Sequence, residues 1–228
     1  MFIADGARTV SFPRPHSAVQ AHGESPKPWA ATEFTDGGTL ADYFDADLDA
    51  SQWFAHGLVR AVSHAHALGV VHGGLCPPAV RFSTSLGSTW PAPKIGDWGL
   101  AVVVMDEREL PGSHSMGRQP PISPAYAAPE HLDPGAFGTI DHSTDVYGLR
   151  TLLYGLFTGQ PPFSGESHVV AGQVTTDDPP TPTERNPNLP EEVDTVLSRS
   201  LAKRKQARYE TVDDLLVALE RCTGVVSV

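Results

Sequence analysis

The chain has 228 residues, and its 27 acidic residues against 16 basic residues give a formal net charge of −11. A protein this acidic is not expected to bind nucleic acid by neutralising phosphates. The sequence contains no stretch of 18 apolar residues, so it predicts no membrane span. Its two cysteines, Cys76 and Cys222, are too few for a disulfide framework or a CxxC metal site.

The start of the chain lacks the charged and apolar regions of a signal peptide, so the sequence predicts a cytoplasmic protein. Its acidic, lysine-poor composition leads to the further hypothesis of a halophilic, salt-accumulating cytoplasm. The hydrophobic fraction of 40% is enough for one folded core.

The N-terminal third predicts two short strands and one long helix. Residues 17–23 and 29–34 have the character of strands. Asp49, with a glutamine three residues later, resembles a capping box. Apolar residues then recur every three or four positions as far as Leu68, and Gly69 follows where a left-handed C-cap belongs. This pattern predicts an amphipathic helix.

The middle of the chain alternates between weak and strong signals. Residues 70–85 and 93–105 are typical of strands and loops, and residues 106–127 form a long polar loop. Residues 145–157 are apolar nearly all round, which predicts a helix in the centre of the domain. Residues 164–190 are rich in proline and predict mostly loop.

Two further helices are predicted near the C-terminus. Pro190 is expected in the first turn of one helix, and Thr211 with Asp214 is expected to cap the other. The whole pattern is therefore mainly helical, with few and short strands.

The main functional signal is a set of five short motifs in a fixed order, since the GxSxG, HExxH and P-loop motifs are all absent. The five motifs occupy residues 32–40, 70–77, 95–101, 123–130 and 145–163. They resemble the hinge, catalytic loop, metal-binding DFG motif, APE motif and central helix of the eukaryotic-type serine/threonine protein kinases. No single motif is specific, but their joint order and spacing are.

The resemblance covers residues 29–222 and implies a mainly α (α+β) fold. This fold would be a protein-kinase-like C-terminal lobe with a vestigial, incomplete N-terminal lobe. Residues 1–28 would be a remnant of the small lobe or an irregular segment, and residues 223–228 a tail. Neither a Gly-rich loop nor a Val-Ala-x-Lys strand is found before the hinge-like segment.

The resemblance also implies a set of site residues. Glu33 and Phe34 would form a hinge for nucleotide, and Asp97 would be the candidate metal ligand. Structural roles would fall to Trp98, Gly99, Glu130, Asp145 and Arg208, with Glu130 and Arg208 forming a pair. Ser113, Ser115 and Ser123 are candidate phosphorylation sites in the polar loop.

The catalytic-loop motif departs from the family at its chemical positions. The family's catalytic Asp is Gly74, its Lys is Cys76, and the Asn that holds the second magnesium is Ala79. The Arg before the Asp is Gly73. His72 is retained, and we expect it to be a hydrogen-bonded core histidine beside Trp98.

Two interpretations of Asp97 stay open: a ligand of a divalent cation, with nucleotide, or a loop cap beside Trp98. The second is favoured because proteins usually hold magnesium together with substrate phosphates. Cys76 is interpreted as a small buried hydrophobe rather than a reactive thiol. No cofactor is therefore certain, and Mg and ATP remain candidates.

Three functional hypotheses follow. The first is a catalytically inactive pseudokinase that binds a protein partner, a kinase or a second copy, on the upper face that a small lobe would cover. The second is a residual ATP-dependent serine/threonine phosphotransferase that uses Asp97 and a base from elsewhere. The third is a truncated or decaying kinase gene product.

Overall fold

The computed structural model describes residues 34–84, 89–98 and 122–223, together with the backbone of residues 15–19 and 29–32. Within this part of the chain eight helices carry most of the fold. They are α1 Leu48–Ala67, α2 Pro129–Leu132, α3 Pro134–Phe137, α4 His142–Thr158, α5 Ser167–Thr176, α6 Pro182–Arg185, α7 Glu192–Ser200 and α8 Val212–Thr223. Short 3₁₀ turns occur at Leu40–Tyr43, Pro77–Ala79 and Lys205–Ala207.

Four short strands form two separate antiparallel hairpins. β1 (Pro15–Val19) pairs with β2 (Trp29–Thr32), and β3 (Val80–Ser83) pairs with β4 (Ala92–Ile95). The first two strands were predicted, but β1 begins two residues before the predicted range. The predicted strand character of residues 100–105 lies outside the described residues.

Helix α1 lies along one side of the core and is capped by Asp47, not by Asp49 as predicted. The Oδ1 atom of Asp47 accepts a hydrogen bond from the amide of Ala50 at 2.8 Å, so the helix begins one residue before Asp49. The prediction for Leu68 was also wrong, because this side chain is 56% exposed beyond the end of the helix. Gly69 ends the helix with φ of +73°, as its position predicted.

Helix α4 is the centre of the domain, and its residues 144–157 are all buried. It begins three residues before the predicted range because Asp141 caps it, accepting a hydrogen bond from the amide of Ser143 at 2.9 Å. The helix ends at Gly159, whose φ is +81°. Helices α1, α7 and α8 pack around α4 and close the main core.

The C-terminal half holds one correction and one confirmed cap. Residues 164–190, predicted to be mostly loop, contain the short helix α6 and the longer helix α5. Its sequence signal is weak, because only Val170 and Val174 are buried and they depend on tertiary packing in a second apolar cluster. The predicted cap of the last helix is present: the Oγ1 atom of Thr211 accepts from the amide of Asp214 at 3.1 Å. Helix α7 begins at Glu192, two residues after Pro190.

Among the described ranges, no helix combines the length and the apolar character needed to cross a lipid bilayer.

Candidate functional site

The segment predicted as a catalytic loop has no regular structure from residue 70 to 76 and then forms the 3₁₀ turn Pro77–Ala79. Gly73 has φ of +72°, a conformation in which a side chain would be strained. The loop connects the end of α1 to strand β3. Besides its own bonds, such as that from the amide of Ala79 to the carbonyl oxygen of Cys76, contacts with other elements hold it in position.

Asp145, on the first turn of α4, is the main anchor of this loop. Its Oδ2 atom accepts hydrogen bonds from the amide of His72 and from Nε2 of His66, each at 2.8 Å. Its Oδ1 atom accepts from the amide of Gly73, also at 2.8 Å. The carboxylate is fully buried, so both of its oxygens are committed to holding the loop.

His72 connects the loop to the segment after β4. Its ring is buried, its Nδ1 atom accepts from the amide of Gly74 at 3.2 Å, and Nε2 lies 2.9 Å from the carbonyl oxygen of Gly96. The ring packs at 4.9 Å from the indole of Trp98. Burial, only partly opposed by Asp145, lowers the pKa of His72 below its ordinary value. This arrangement agrees with the role of a hydrogen-bonded core histidine.

A second histidine, His131 on helix α2, also contacts this loop. Its Nε2 atom lies 2.7 Å from the carbonyl oxygen of Gly73, and Nδ1 accepts from the amide of Ala128 at 2.9 Å. Sequence patterns did not predict this contact, because the partners lie 58 positions apart. The bond of His66 to Asp145 was missed for the same reason.

The catalytic-loop positions that correspond to the family's chemical groups carry no acid. Gly74 has no side chain, and Ala79 is buried. Cys76 is half-buried and packs against the small cluster of Ile122 and Ala127, and burial raises the pKa of its thiol. The loop 72–79 thus has neither a carboxylate nor an amide side chain that faces the upper surface.

Asp97 is an exposed carboxylate. It directly follows Gly96, whose carbonyl oxygen is bonded to His72 of the loop. Its φ of +59° is the one positive value at a non-glycine residue among those described. Trp98, directly after it, donates from Nε1 to the carbonyl oxygen of Ile95 at 2.7 Å. Backbone in this region costs about 1–3 kcal/mol when a non-glycine residue adopts it, and such residues cluster at functional sites.

Below the loop, Glu130 and Arg208 form the predicted pair. Two of the guanidinium nitrogens contact the two carboxylate oxygens at 2.7 and 2.9 Å, and Thr144 donates to the same carboxylate at 2.7 Å. Both charged side chains are completely buried. Burial would raise the pKa of Glu130, but the hydrogen bonds and charge of Arg208 outweigh it and hold that pKa below its ordinary value.

Of the other predicted site residues, some lie within the described part of the chain and some lie outside it. Phe34 is 86% exposed, and Ser123 is exposed at the start of a turn that leads to helix α2. Glu33, Gly99, Ser113 and Ser115 lie outside the described residues. Throughout the described ranges, no three His, Cys, Asp or Glu side chains come together as a metal site would require.

Comparison with known proteins gives one consistent family. The profile described as "Protein kinase domain" matches residues 18–217. The chain is 29% identical over 202 residues to the serine/threonine-protein kinase PknB of Mycobacterium leprae, and 30% identical over 203 residues to PknB of Mycolicibacterium smegmatis. Each match covers 86% of this chain, which spans about 30% of the length of these relatives.

Solved structures show the same fold. The PknI kinase domain of Mycobacterium tuberculosis superimposes with a TM-score of 0.67 at 21% identity, covering 94% of this chain and 72% of the PknI chain. Another crystal structure of that domain gives a TM-score of 0.64 at 20% identity, covering 95% and 73%. At this identity the likeness concerns the fold alone.

Proposed function

Because the chain belongs to the protein kinase domain family, we propose that it is a catalytically inactive member, a pseudokinase that acts as a protein-binding module in signalling. The observation that carries this proposal is the loop 72–79, in which Gly74, Cys76 and Ala79 replace three groups that take part in phosphoryl transfer.

Asp145, the buried acid that is bonded to this loop, is not free to substitute for the missing base. Its two oxygens already accept three hydrogen bonds that hold His66 and the loop amides. A carboxylate with both oxygens engaged in this way is not available to accept a substrate proton. Asp97 is exposed, and it corresponds to the family's metal ligand rather than to its base.

The expected loss of rate is large. A base or positioning group contributes about 10²–10⁴ to the rate. Three losses of about 10² each would remove about 10⁶, or about 8 kcal/mol of transition-state stabilisation. Groups that act as a unit are not additive, so the combined loss can be smaller than this product. With the full loss, a family rate of about 1–100 s⁻¹ would fall to about 10⁻⁶–10⁻⁴ s⁻¹.

The side chains of the described chain also fit a magnesium-nucleotide site poorly. The family holds its two ions with an Asp and an Asn. Here the Asp is present as Asp97, whereas the Asn position is the buried hydrocarbon of Ala79. One exposed carboxylate is a weak protein contribution to a cation that also retains water and phosphate ligands. We derive no catalytic step through this ion.

For the binding role, we propose a protein partner on the upper face. Phe34, at the hinge position, exposes 86% of its surface, which is the largest exposure among the large apolar side chains described. Apolar side chains exposed in this way mark interaction sites when they belong to a patch. A kinase or a second copy of this chain would suit the proposal, and the second copy can be tested with the chain alone.

The catalytic half of the proposal is tested by phosphate transfer from radiolabelled ATP with magnesium, using casein as acceptor. The kinase domain of mycobacterial PknB serves as the positive control. We expect no label above that of Asp97→Asn, and no thermal stabilisation by Mg-ATP. Asp49→Asn is the matched control, because Asp49 is also an exposed aspartate. The proposal would be overturned if the unmodified chain transferred label, Asp49→Asn retained this activity and Asp97→Asn lost it.

That outcome would support the second candidate function, a residual phosphotransferase. The observation in its favour is the left-handed backbone of Asp97, because strain at a polar residue often accompanies a functional role. A thermal shift with Mg-ATP but no transfer would instead indicate a nucleotide-binding pseudokinase. In that case the protein would still be catalytically inactive, and Mg-ATP would be its ligand.

The binding half is tested by sedimentation of the purified chain over a range of concentrations. Dimers that Phe34→Asp dissociates would support the upper face as the contact. Val217→Asp is the matched control, because Val217 is 45% exposed on helix α8. A chain that stays monomeric throughout would reject a second copy as the occupant.

A further inference from the structure

Arg150 is a buried cation on helix α4 whose hydrogen-bonding groups are largely unused. The residue is only 1% exposed, and its Nε and Nη1 atoms are buried with no hydrogen-bond partner among the described residues. The guanidinium lies 5.8 Å from the centre of the Tyr154 ring, whose face attracts a cation but is a poor substitute for an oxygen acceptor. A charged side chain buried this deeply is normally paired with an anion.

Arg150 remains charged in spite of its burial. Burial lowers the pKa of its guanidinium to about 9, so about 99% of the side chain is still protonated at pH 7. Such a buried charge is costly unless opposite charge or hydrogen bonds compensate it. The ion pairs of the described part of the chain do not include Arg150.

Lys203 brings a second cation to the same place. Burial lowers its pKa to about 8, and the charge of Arg150 adds to this effect, whereas Asp178 opposes it. The ammonium lies 5.1 Å from the centre of the Phe163 ring and donates one long hydrogen bond, of 3.5 Å, to the carbonyl oxygen of Gln173. Because an ammonium has three donors, Lys203 also has donors left for a ligand.

The carboxylates around these two cations do not neutralise them. Asp178 acts on both cations, but it is exposed and forms an ion pair with neither. Asp177 accepts a hydrogen bond from a neighbouring threonine at 2.7 Å. Glu184 and Asp194 accept hydrogen bonds from backbone amides of residues 181 and 183, at helix α6. Two cations with free donors therefore lie together without a bound anion of the described chain.

We propose that Arg150 and Lys203 form a binding site for a phosphate group. Two cations match the charge of about −1.5 to −2 that a phosphate monoester carries at pH 7. A guanidinium forms charge-assisted hydrogen bonds with phosphate oxygens, and the ammonium adds a point charge with three donors. Neither residue belongs to the loop 72–79, so the site goes beyond the proposed binding function and does not depend on it.

The burial of Arg150 limits the ligand to a small terminal group. Lys203 is half-buried and the segment 177–178 is exposed, so a ligand would approach from the surface that they form. Inorganic phosphate and the phosphate of a phosphorylated side chain present the same terminal group. The shared chemistry is therefore assigned here, and the experiment distinguishes the two sources.

The first test is urea unfolding of the unmodified chain at pH 7 in inorganic phosphate and in sodium chloride of equal ionic strength. Once the phosphate concentration exceeds Kd, each further tenfold increase should raise the folding equilibrium constant about tenfold. Phosphate also stabilises folded proteins in general, because it is excluded from their surfaces. The specific effect is therefore the difference between the unmodified chain and its variants.

The second test compares the phosphate response of Arg150→Met with that of Arg185→Met. Arg185 is the matched control, because it lies 5.6 Å from the centre of the same Tyr154 ring but already donates to the carbonyl oxygen of Pro162 at 3.3 Å. Arg150→Met should lose the specific response, and Arg185→Met should keep it. Equal responses of the two variants would overturn the proposal, as would a response of the unmodified chain no larger than that of Arg150→Met.

A third comparison keeps the proposal testable if Arg150→Met does not fold. Lys203→Met should bind phosphate about tenfold more weakly or worse, because it removes a charged hydrogen-bond donor. Lys205→Met is its control, since Lys205 is paired with Asp141 at 2.9 Å. A phosphate response that Lys203→Met retains in full would contradict the assigned site.

The source of the phosphate is tested by repeating the titration with O-phosphoserine. A response to both ligands that depends on Arg150 supports a site that accepts a phosphorylated side chain. A response to inorganic phosphate alone supports a site for the free anion. A chain that responds to neither ligand has no phosphate site at Arg150.

Discussion

Replacement of Asp145 by asparagine should have a large effect on stability, because one buried carboxylate holds three donors. Oδ2 accepts from the amide of His72 and from the ring of His66, and Oδ1 accepts from the amide of Gly73. Asparagine has nearly the same shape but only one acceptor oxygen. In either orientation its NH₂ group faces a backbone N–H that can no longer be satisfied.

The expected cost can be estimated from these contacts. A hydrogen bond to an ionised acceptor contributes about 1.5–3 kcal/mol, and a buried amide left without a partner costs about 1–3 kcal/mol. One lost bond and one orphaned amide together predict a loss of about 2.5–6 kcal/mol in the free energy of unfolding. Since domains are stable by about 5–15 kcal/mol, Asp145→Asn should fold but unfold at a much lower urea concentration.

The assay is equilibrium urea unfolding followed by circular dichroism, with Asp141→Asn as the matched control. Asp141 caps the same helix and is 48% exposed. Asparagine is an equally good N-cap, so the control should lose no more than about 1 kcal/mol. If Asp145→Asn loses less than about 1 kcal/mol, or no more than the control, the carboxylate does not anchor the loop through these three hydrogen bonds.

Three further substitutions test other parts of the fold by the same urea assay. Glu130→Gln should cost about 3–5 kcal/mol, because it leaves the Arg208 guanidinium as a buried uncompensated charge. The ionised Glu130 stabilises the unmodified chain, and this stabilisation is lost as the pH falls through the depressed pKa of Glu130. Glu130→Gln should therefore be less sensitive to acid, and equal acid sensitivity of the two proteins would contradict the role of the pair. Arg150→Met should raise stability by about 1–3 kcal/mol. The Nε and Nη1 atoms of Arg150 are buried and have no hydrogen-bond partner among the described residues, and burial lowers the pKa of this side chain to about 9. A loss of stability would point to a partner of Arg150. Gly155→Ala should destabilise by about 1–3 kcal/mol despite the better helix propensity of alanine, because the added methyl group would lie 2.5 Å from the ring of Phe44; the double variant with Phe44→Leu should recover part of that loss, and no recovery would place the cost elsewhere.

The features that could be predicted from the sequence are those encoded by neighbouring residues. Gly69 and Gly159 end their helices in the left-handed conformation, and Thr211 with Asp214 caps the last helix. The kinase-like motifs are also short strings, so the family could be identified before any contact was known. The replacement of the catalytic Asp by Gly74 is likewise visible in the sequence alone.

Boundaries were less well predicted where two neighbouring residues compete for the same role. Asp47 and Asp49 are both suitable caps, and the choice of Asp47 depends on where the helix meets the core. Helix α5 was missed because its interior is rich in Ser, Thr, Gly and His. Its two buried valines form a helix only in the presence of their tertiary partners.

The contacts that build the candidate site needed the folded structure, because they join residues far apart in the chain. Asp145 reaches the amides of the loop across 72 and 73 positions, and His131 reaches Gly73 across 58. Local patterns carry no information about such pairs, since hydrogen-bond partners and burial depend on how helices pack. The sequence was thus sufficient to identify the family and the missing chemical groups, whereas packing around α4 assigned Asp145 and His131 their roles in holding the loop.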